Sequence, residues 1–252
     1  MPKTPRRQQQ KTSELAAHPK TIESRYQTSL RAIAREVGKI IHDGYDGSND
    51  SVLEIMDRLD QYSEIIDGWA ETVATSMVTA VNRQDEKVWR QRSQLISQEL
   101  RNVINNTPTG HVMQSLVRDQ VQYIKSLPLE AADRVYDIQN KAIELVSSGG
   151  RSTELAAEIM RSGDVAESRA KLIARTEVGR ANSALTQARA QYVGSDGYIW
   201  RPADDGDVRH SHQIMEGKFV RWDAPPTLDG MTGHAGALPN CRCYAEVVIP
   251  EN

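Results

Sequence analysis

The sequence predicts an α+β chain: a mainly helical N-terminal region with long amphipathic helices, followed by a small α+β C-terminal domain. Three observations carry this reading. No proline lies between Pro19 and Pro108, whereas five of the ten prolines and seven of the sixteen glycines follow Val193. Proline removes a helix donor and glycine permits turns, so the first three quarters read as helix and the last quarter as strands and loops. Apolar residues in the long N-terminal stretch recur at spacings of three and four, the helical period. Short runs rich in β-branched and aromatic residues follow Gly197, as strands require.

The elements follow in order. The first eleven residues hold four Lys/Arg, no acid and the triplet Gln8-Gln9-Gln10, which predicts a basic flexible arm over 1–20. Tyr26, Leu30, Ile33, Val37 and Ile40 form one helical stripe that ends at His42-Asp43-Gly44, where glycine can close a helix. Ser51-Val52-Leu53-Glu54 reads as a capping box. Val52, Ile55, Leu59, Tyr62, Ile65 and Trp69 continue the stripe, then Val73, Met77, Val81, Trp89, Ile96, Leu100 and Val103. Unbroken from 52 to 105, this helix would run about 80 Å at 1.5 Å per residue, too long for a compact core, so a kink near Gly68 or near Asn82 to Asp85, or a hairpin of helices, is expected. The region 21–126 is therefore read as helical and docking: Tyr26, Ile33, Ile55, Tyr62 and Trp69 are expected at helix–helix or partner contacts.

Thr107-Pro108-Thr109-Gly110 marks a break, and Val112 to Leu127 reads as a helix ending before Pro128. Another follows through Val135, Ile138, Ala142, Ile143 and Val146, then one from about Thr153 to Met160. Asp164-Val165-Ala166-Glu167 reads as a second capping box, opening a helix that runs to Tyr192. Tyr198 to Trp200, Lys218 to Trp222 and Tyr244 to Ile249 are the predicted strands.

Composition narrows the function classes. The chain has 252 residues, 38% of them apolar and 26% charged, as in a globular protein of one large or two modest domains. No apolar run approaches the roughly 18 residues that a membrane-spanning helix needs. The basic N-terminus lacks the apolar stretch of a secretory signal. Two cysteines cannot build a disulfide scaffold, so a reducing compartment is the default. A net charge of −3 argues against a general nucleic-acid coat and leaves DNA contact to the basic arm.

The C-terminal quarter concentrates polar chemistry. Asp207-Val208-Arg209-His210-Ser211-His212 holds a His-x-His, and Asn240-Cys241-Arg242-Cys243 a Cys-x-Cys. On a strand, residues i and i+2 share a face, and two Cys with two His make a tetrahedral zinc set; His234 is a further candidate. The spacing weakens this, because structural zinc usually uses Cys pairs with two to four residues between them, and a Cys-x-Cys pair sits badly on one tetrahedral ion unless the backbone bends. The alternatives are two small buried thiols beside hydrogen-bonded histidines, or a strained disulfide. Structural zinc at His212, Cys241 and Cys243 is thus the one cofactor under consideration, and no other is expected. His212 beside a cysteine nucleophile, or a metal-activated water using His212 and Asp207, would be needed for catalysis. The chain carries no H-E-x-x-H, G-x-S-x-G or P-loop, so no enzyme activity is expected. In the preceding helix, Arg175-Thr176-Glu177 stands with Arg180 and Asn182 a turn on. It reads either as a solvated face or as a tie to the C-terminal sheet, made by Arg175 and Glu177 through buried charge-assisted hydrogen bonds.

These residues, in this order, resemble the phage Mu F-like head morphogenesis family, the minor head proteins of tailed phages. The matching pieces are Ala174-Arg175-Thr176-Glu177, Asn182, Trp200, Val208-Arg209, Ser211-His212, Gly217 and Pro239-Asn240-Cys241-Arg242-Cys243. Arg175, Glu177, Asn182, Trp200 and Arg209 are the motif positions read as structural. The resemblance covers roughly Leu127 to Ile249 and implies a head morphogenesis domain over 127–252. It implies a low-copy virion component inside the head near the portal, assembled in the host cytoplasm, with the portal or major capsid protein as partner and a part in DNA packaging or ejection. It implies no enzyme activity. Toxin or protease modules, fused to the domain in some relatives, are not expected, as the sequence ends at Asn252. The family's recurrent His and Cys positions fall on His212, Cys241 and Cys243, and His210 stands outside the pattern. The contrasting reading is a metal-dependent enzyme or nucleic-acid-processing factor built on the C-terminal His/Cys cluster.

Overall fold

The computed structural model describes residues 17–93, 108–147, 153–203 and 206–249. The basic arm lies almost wholly outside these residues, as do Ile96, Leu100 and Val103. Among the described residues six helices come first: α1 Lys20–Gly44, α2 Asn49–Ile65, α3 Asp67–Ser93, α4 Gly110–Ser147, α5 Thr153–Met160 and α6 Ser162–Tyr192. Then come β1 Gly197–Arg201, the single turn α7 His210–Gln213, β2 Phe219–Arg221, β3 Thr227–Leu228, β4 Met231–Thr232 and β5 Tyr244–Val248. The order bears out the α+β reading.

Several local readings are corrected. The capping box expected at Ser51 is replaced by a cap one residue before α2: Ser48 Oγ accepts the N–H of Ser51 at 3.0 Å, and the Ser51 hydroxyl donates to the Ser48 carbonyl at 2.9 Å. The break expected near Gly68 is found, at Ile66 between α2 and α3, where the Ile66 N–H still reaches the Tyr62 carbonyl at 3.1 Å. Pro128 does not end a helix; it lies inside α4. A mid-helix proline costs about 3 kcal/mol, but Ile124, Leu127, Ala131, Ala132 and Val135 are all buried, so the apolar stripe on both sides outweighs the missing bond. At α6 the Asp164 capping box is absent. The amides of Asp164 and Val165 bond the Arg161 carbonyl at 3.0 and 3.1 Å, and the Glu167 carboxylate instead accepts from Arg31 at 3.0 Å. A further hairpin, beyond the three predicted strands, joins β3 to β4 across Asp229 and Gly230, both with positive φ, the two-residue turn that an Asp-Gly pair favours.

The chain divides into two compact units interleaved in sequence: 24–74 with 118–174, and 1–23 with 75–117 and 175–252. The first unit is helical. Leu30, Ile33, Val37 and Ile41 of α1, Val52, Ile55 and Leu59 of α2, Ile124 and Leu127 of α4 and Ile159 of α5 fill its core. At roughly 1.5–3 kcal/mol for each fully buried aliphatic side chain, this burial is what makes the stripes fold. Tyr26 donates to Oε1 of the buried Gln120 at 3.0 Å. Gly38 and Gly163 bring α1 and α6 into backbone contact, for a Cβ on Gly163 would lie 2.7 Å from the Gly38 Cα.

The second unit contains the sheet. Its strands run β2-β1-β5, all antiparallel, with Tyr198 and Trp200 of β1 on the buried face. They pack with Trp222, Val220, Ala245, Val247, Leu238, Trp89 of α3 and Ala190 of α6 in one apolar cluster. Tyr198 and Trp222 lie with ring centroids 4.6 Å apart. Within this unit α3 and α6 are joined by a buried ion pair. Arg189 Nη1 donates to Asp85 Oδ2, Thr186 donates to Asp85 Oδ1 at 2.7 Å, and Arg189 Nη2 donates to Asn82 Oδ1 at 2.8 Å. Asp85 and Arg189 are each 2% exposed.

Removing one member of a buried pair strands the other charge. Arg189→Met is therefore expected to cost about 3–5 kcal/mol in urea or thermal unfolding. The double variant Asp85→Leu/Arg189→Met should recover most of that loss; a single variant of wild-type stability would refute the role given to the pair.

Candidate functional site

The site is assembled in the sheet-bearing unit by one loop lying on one helix. Residues 235–243 pass over the middle of α6 where glycine faces glycine. A Cβ on Gly179 would stand 2.6 Å from the Gly236 carbonyl oxygen and 3.2 Å from that of Cys241. Glycine inside a helix costs about 1 kcal/mol relative to alanine, and here it allows this close approach. Gly236 has φ +86. Asn240 sits at φ 58, a region asparagine tolerates better than most residues.

Polar contacts pin the same loop. The Asn240 N–H donates to Thr176 Oγ1 at 3.1 Å. Arg180 donates through Nε to the Ala237 carbonyl at 3.0 Å and through Nη1 to Glu177 Oε1 at 2.9 Å. Arg209 Nη2 donates to the Pro239 carbonyl at 2.9 Å. Thr176 and Arg180 thus tie this helix to the loop, and the buried Glu177 accepts from Arg180. Arg175 donates to Glu23 Oε1 at 3.4 Å. Burial acts to raise the Glu23 carboxyl, but the hydrogen bond and charge of His18, 2.6 Å away, together with Arg175, hold it below the usual carboxylate range.

The loop delivers both cysteines to one histidine. His-x-His does not lie on a strand. It forms α7, so His210 is exposed while His212 turns inward and is 2% exposed; the expectation of two histidines on one face fails because the local period is helical. The α7 turn starts from Arg209, whose carbonyl accepts the His212 N–H at 2.9 Å, and Ser211 Oγ donates to Asp229 Oδ2 at 2.7 Å. His212 Nδ1 lies 3.4 Å from Cys241 Sγ and 3.5 Å from Cys243 Sγ. Both thiols are free and buried, which removes the disulfide alternative. The Trp200 ring stands edge-on to His212, centroids 5.6 Å apart at 89°. The contact between the two thiols pulls them apart in acidity: it holds Cys241 down to about 4, helped by His212 and against burial, and together with burial it pushes Cys243 up, so the pair titrates as a unit.

These three residues open on a pocket of about 240 Å³, also lined by Arg175, Asp207, Val208, Arg209, Asn240 and Arg242. Arg242 donates to Asp207 Oδ2 at 3.2 Å. The Arg209 Nη1 and His212 Nε2 atoms are buried without a hydrogen-bond partner. His234 is not brought to this cluster. It lies across the core, 3.2 Å from the Tyr198 hydroxyl, and burial keeps its imidazole below the usual range.

The remaining motif and docking residues are scattered. Trp200 is fully buried at the centre of the apolar cluster. Asn182 lines a small crevice with Asp85, Trp89 and Thr186. Tyr26, Ile33 and Ile55 are core residues of the helical unit, Tyr62 is half-buried, and Trp69 is 39% exposed beside Ile65 at 78%. The sequence reading missed the roles of Thr176 and Gly179 and the pairing of Asp85 with Arg189. A glycine in mid-helix was the one visible signal.

Gly179→Ala would press a methyl group into backbone. It is expected to cost about 1–3 kcal/mol and to expose the two thiols to a thiol reagent. Gly68→Ala, where nothing lies within 4 Å of the added Cβ, serves as the control; equal stability and equal thiol protection in the two variants would refute the close contact.

Residues 136–246 match the family described as Phage Mu protein F like protein. An uncharacterized protein of Haemophilus influenzae is 32% identical over 206 residues, covering 80% of this chain and 43% of its own length. An NAD(+)–arginine ADP-ribosyltransferase EFV of Enterococcus faecalis is 30% identical over 124 residues, covering 45% of this chain and 26% of its own. The chain therefore spans less than half the length of these curated relatives. No solved structure matches it significantly.

Proposed function

Because residues 136–246 of the chain belong to the Phage Mu protein F like family, we propose that the protein is a minor head protein of a tailed phage. In this reading it is carried inside the head near the portal, assembled in the host cytoplasm, and it assists DNA packaging or ejection. The observation that carries the proposal is the concurrence of the family match with the docked loop: the Ala174-Arg175-Thr176-Glu177 and Asn240-Cys241-Arg242-Cys243 pieces are held together through Thr176 and Asn240. They build a fixed structural unit. The family is one of phage head morphogenesis, and no helix among the described residues is long and apolar enough to cross a membrane. The enzyme name of the enterococcal relative describes a protein of which this chain covers 26%.

The partner in this proposal is the portal or the major capsid protein. Tyr26, Ile33 and Ile55 serve as core in the helical unit, so the docking contact falls to Trp69 and Ile65, exposed on either side of the Ile66 turn, with Tyr62 half-buried on α2. The basic segment at residues 1–11 is the proposed DNA contact.

A quantitative mass census of purified virions and empty heads tests this directly. The chain is expected in both at a few copies per portal. An Ile65→Asp/Trp69→Asp variant, whose substitutions sit at exposed positions, is expected to fold normally and to be depleted from heads several-fold. Absence of the wild-type chain from both particles would refute the proposal, and full incorporation of the variant would refute the docking contact.

A further inference from the structure

The cluster at His212, Cys241 and Cys243 is not explained by the apolar core around it. All three residues are buried. Two thiols converge on one imidazole nitrogen, His212 Nδ1, which has a single lone pair to offer, so at most one S–H donor is satisfied there.

The distances fit a different occupant. A tetrahedral ion with a metal–nitrogen bond of about 2.0 Å and metal–sulfur bonds of about 2.3 Å places each sulfur about 3.5 Å from the nitrogen. The observed separations are 3.4 and 3.5 Å, and the three donor atoms all lie within 4.8 Å of one another. We propose that His212 Nδ1, Cys241 Sγ and Cys243 Sγ bind one thiophilic divalent cation of the zinc class, with a water of the adjoining pocket as the fourth ligand.

The chemistry of the donor set selects the ion. Two thiolates and an imidazole favour zinc over magnesium or calcium, which take oxygen ligands. The Cys-x-Cys spacing is accommodated because Cys241 and Cys243 both precede β5 and follow the left-handed turn at Asn240, where strand alternation does not dictate where the sulfurs point. His210 is excluded as a ligand by α7, which leaves it in solvent. The site ties α7, the start of β5 and the loop on α6 to one centre. This goes beyond the head-protein reading and stands or falls apart from it.

The test uses the full chain, stripped with a chelator and titrated with Co²⁺. One equivalent is expected to give a thiolate-to-cobalt charge-transfer band with the visible intensity of tetrahedral coordination, displaced by one equivalent of Zn²⁺. X-ray absorption of the zinc form should count two sulfurs at about 2.3 Å and two lighter atoms at about 2.0 Å. Cys241→Ser/Cys243→Ser should lose the band and His210→Gln should keep it. No band in the wild type, or a band persisting in the double variant, would overturn the proposal. Should the double variant fail to fold, the wild-type titration and sulfur count decide alone.

Discussion

The contact between Gly179 on α6 and Gly236 on the loop above it is the constraint on which the site depends. Two backbones meet there without side chains between them, and only then do the Thr176 hydroxyl and the Arg180 guanidinium reach the Asn240 amide and the Ala237 carbonyl. Neutral hydrogen bonds of this kind contribute about 1 kcal/mol each and charged ones somewhat more. The close approach matters more than either bond, because it sets where the chain emerges at Cys241. From there the positions of two thiols, the buried imidazole opposite and the pocket beside them follow without further adjustment.

The apolar cluster around Tyr198, Trp200 and Trp222 performs the complementary task. It fixes β1 against β2 and β5, so that the ends of the loop are held by the sheet while its middle is held by the helix. The Trp200 ring then closes one side of His212. The Asp85–Arg189 pair anchors α3 to α6 in the same unit and keeps Trp89 in the cluster. Each device is buried and joins segments distant in sequence, which is the arrangement of a rigid structural module.

How much of this was legible beforehand varied with the range of the interaction. The stripe of α1 was readable because burial on one face imposes a helical period on Tyr26, Leu30, Ile33, Val37 and Ile40 over many residues. The strand at Tyr198 to Trp200 was readable from composition and its flanking glycines. Pro128 misled because a local rule met a stronger non-local one, the packing of Ile124, Leu127 and Val135. His210 and His212 misled in the opposite way: strand alternation was assumed where the chain makes a helical turn, so only one of the two faces inward. The Asp229-Gly230 hairpin was readable in principle, since that pair is among the strongest turn signals, but the strands it joins are two residues each. Gly179 carried a visible penalty with no visible cause, as its partner lies 57 residues further on. The Asp85–Arg189 pair, 104 residues apart, left no local mark.

Native-state hydrogen exchange at the Asn240 amide is the most direct test of the central claim, that the loop is locked onto the helix by backbone contact and the Thr176 hydroxyl. The account predicts protection comparable to the interior amides of α6 and a marked loss of it in Thr176→Val, with the helix itself unchanged. An Asn240 amide that exchanges at the rate of an open loop in the wild-type protein would contradict it.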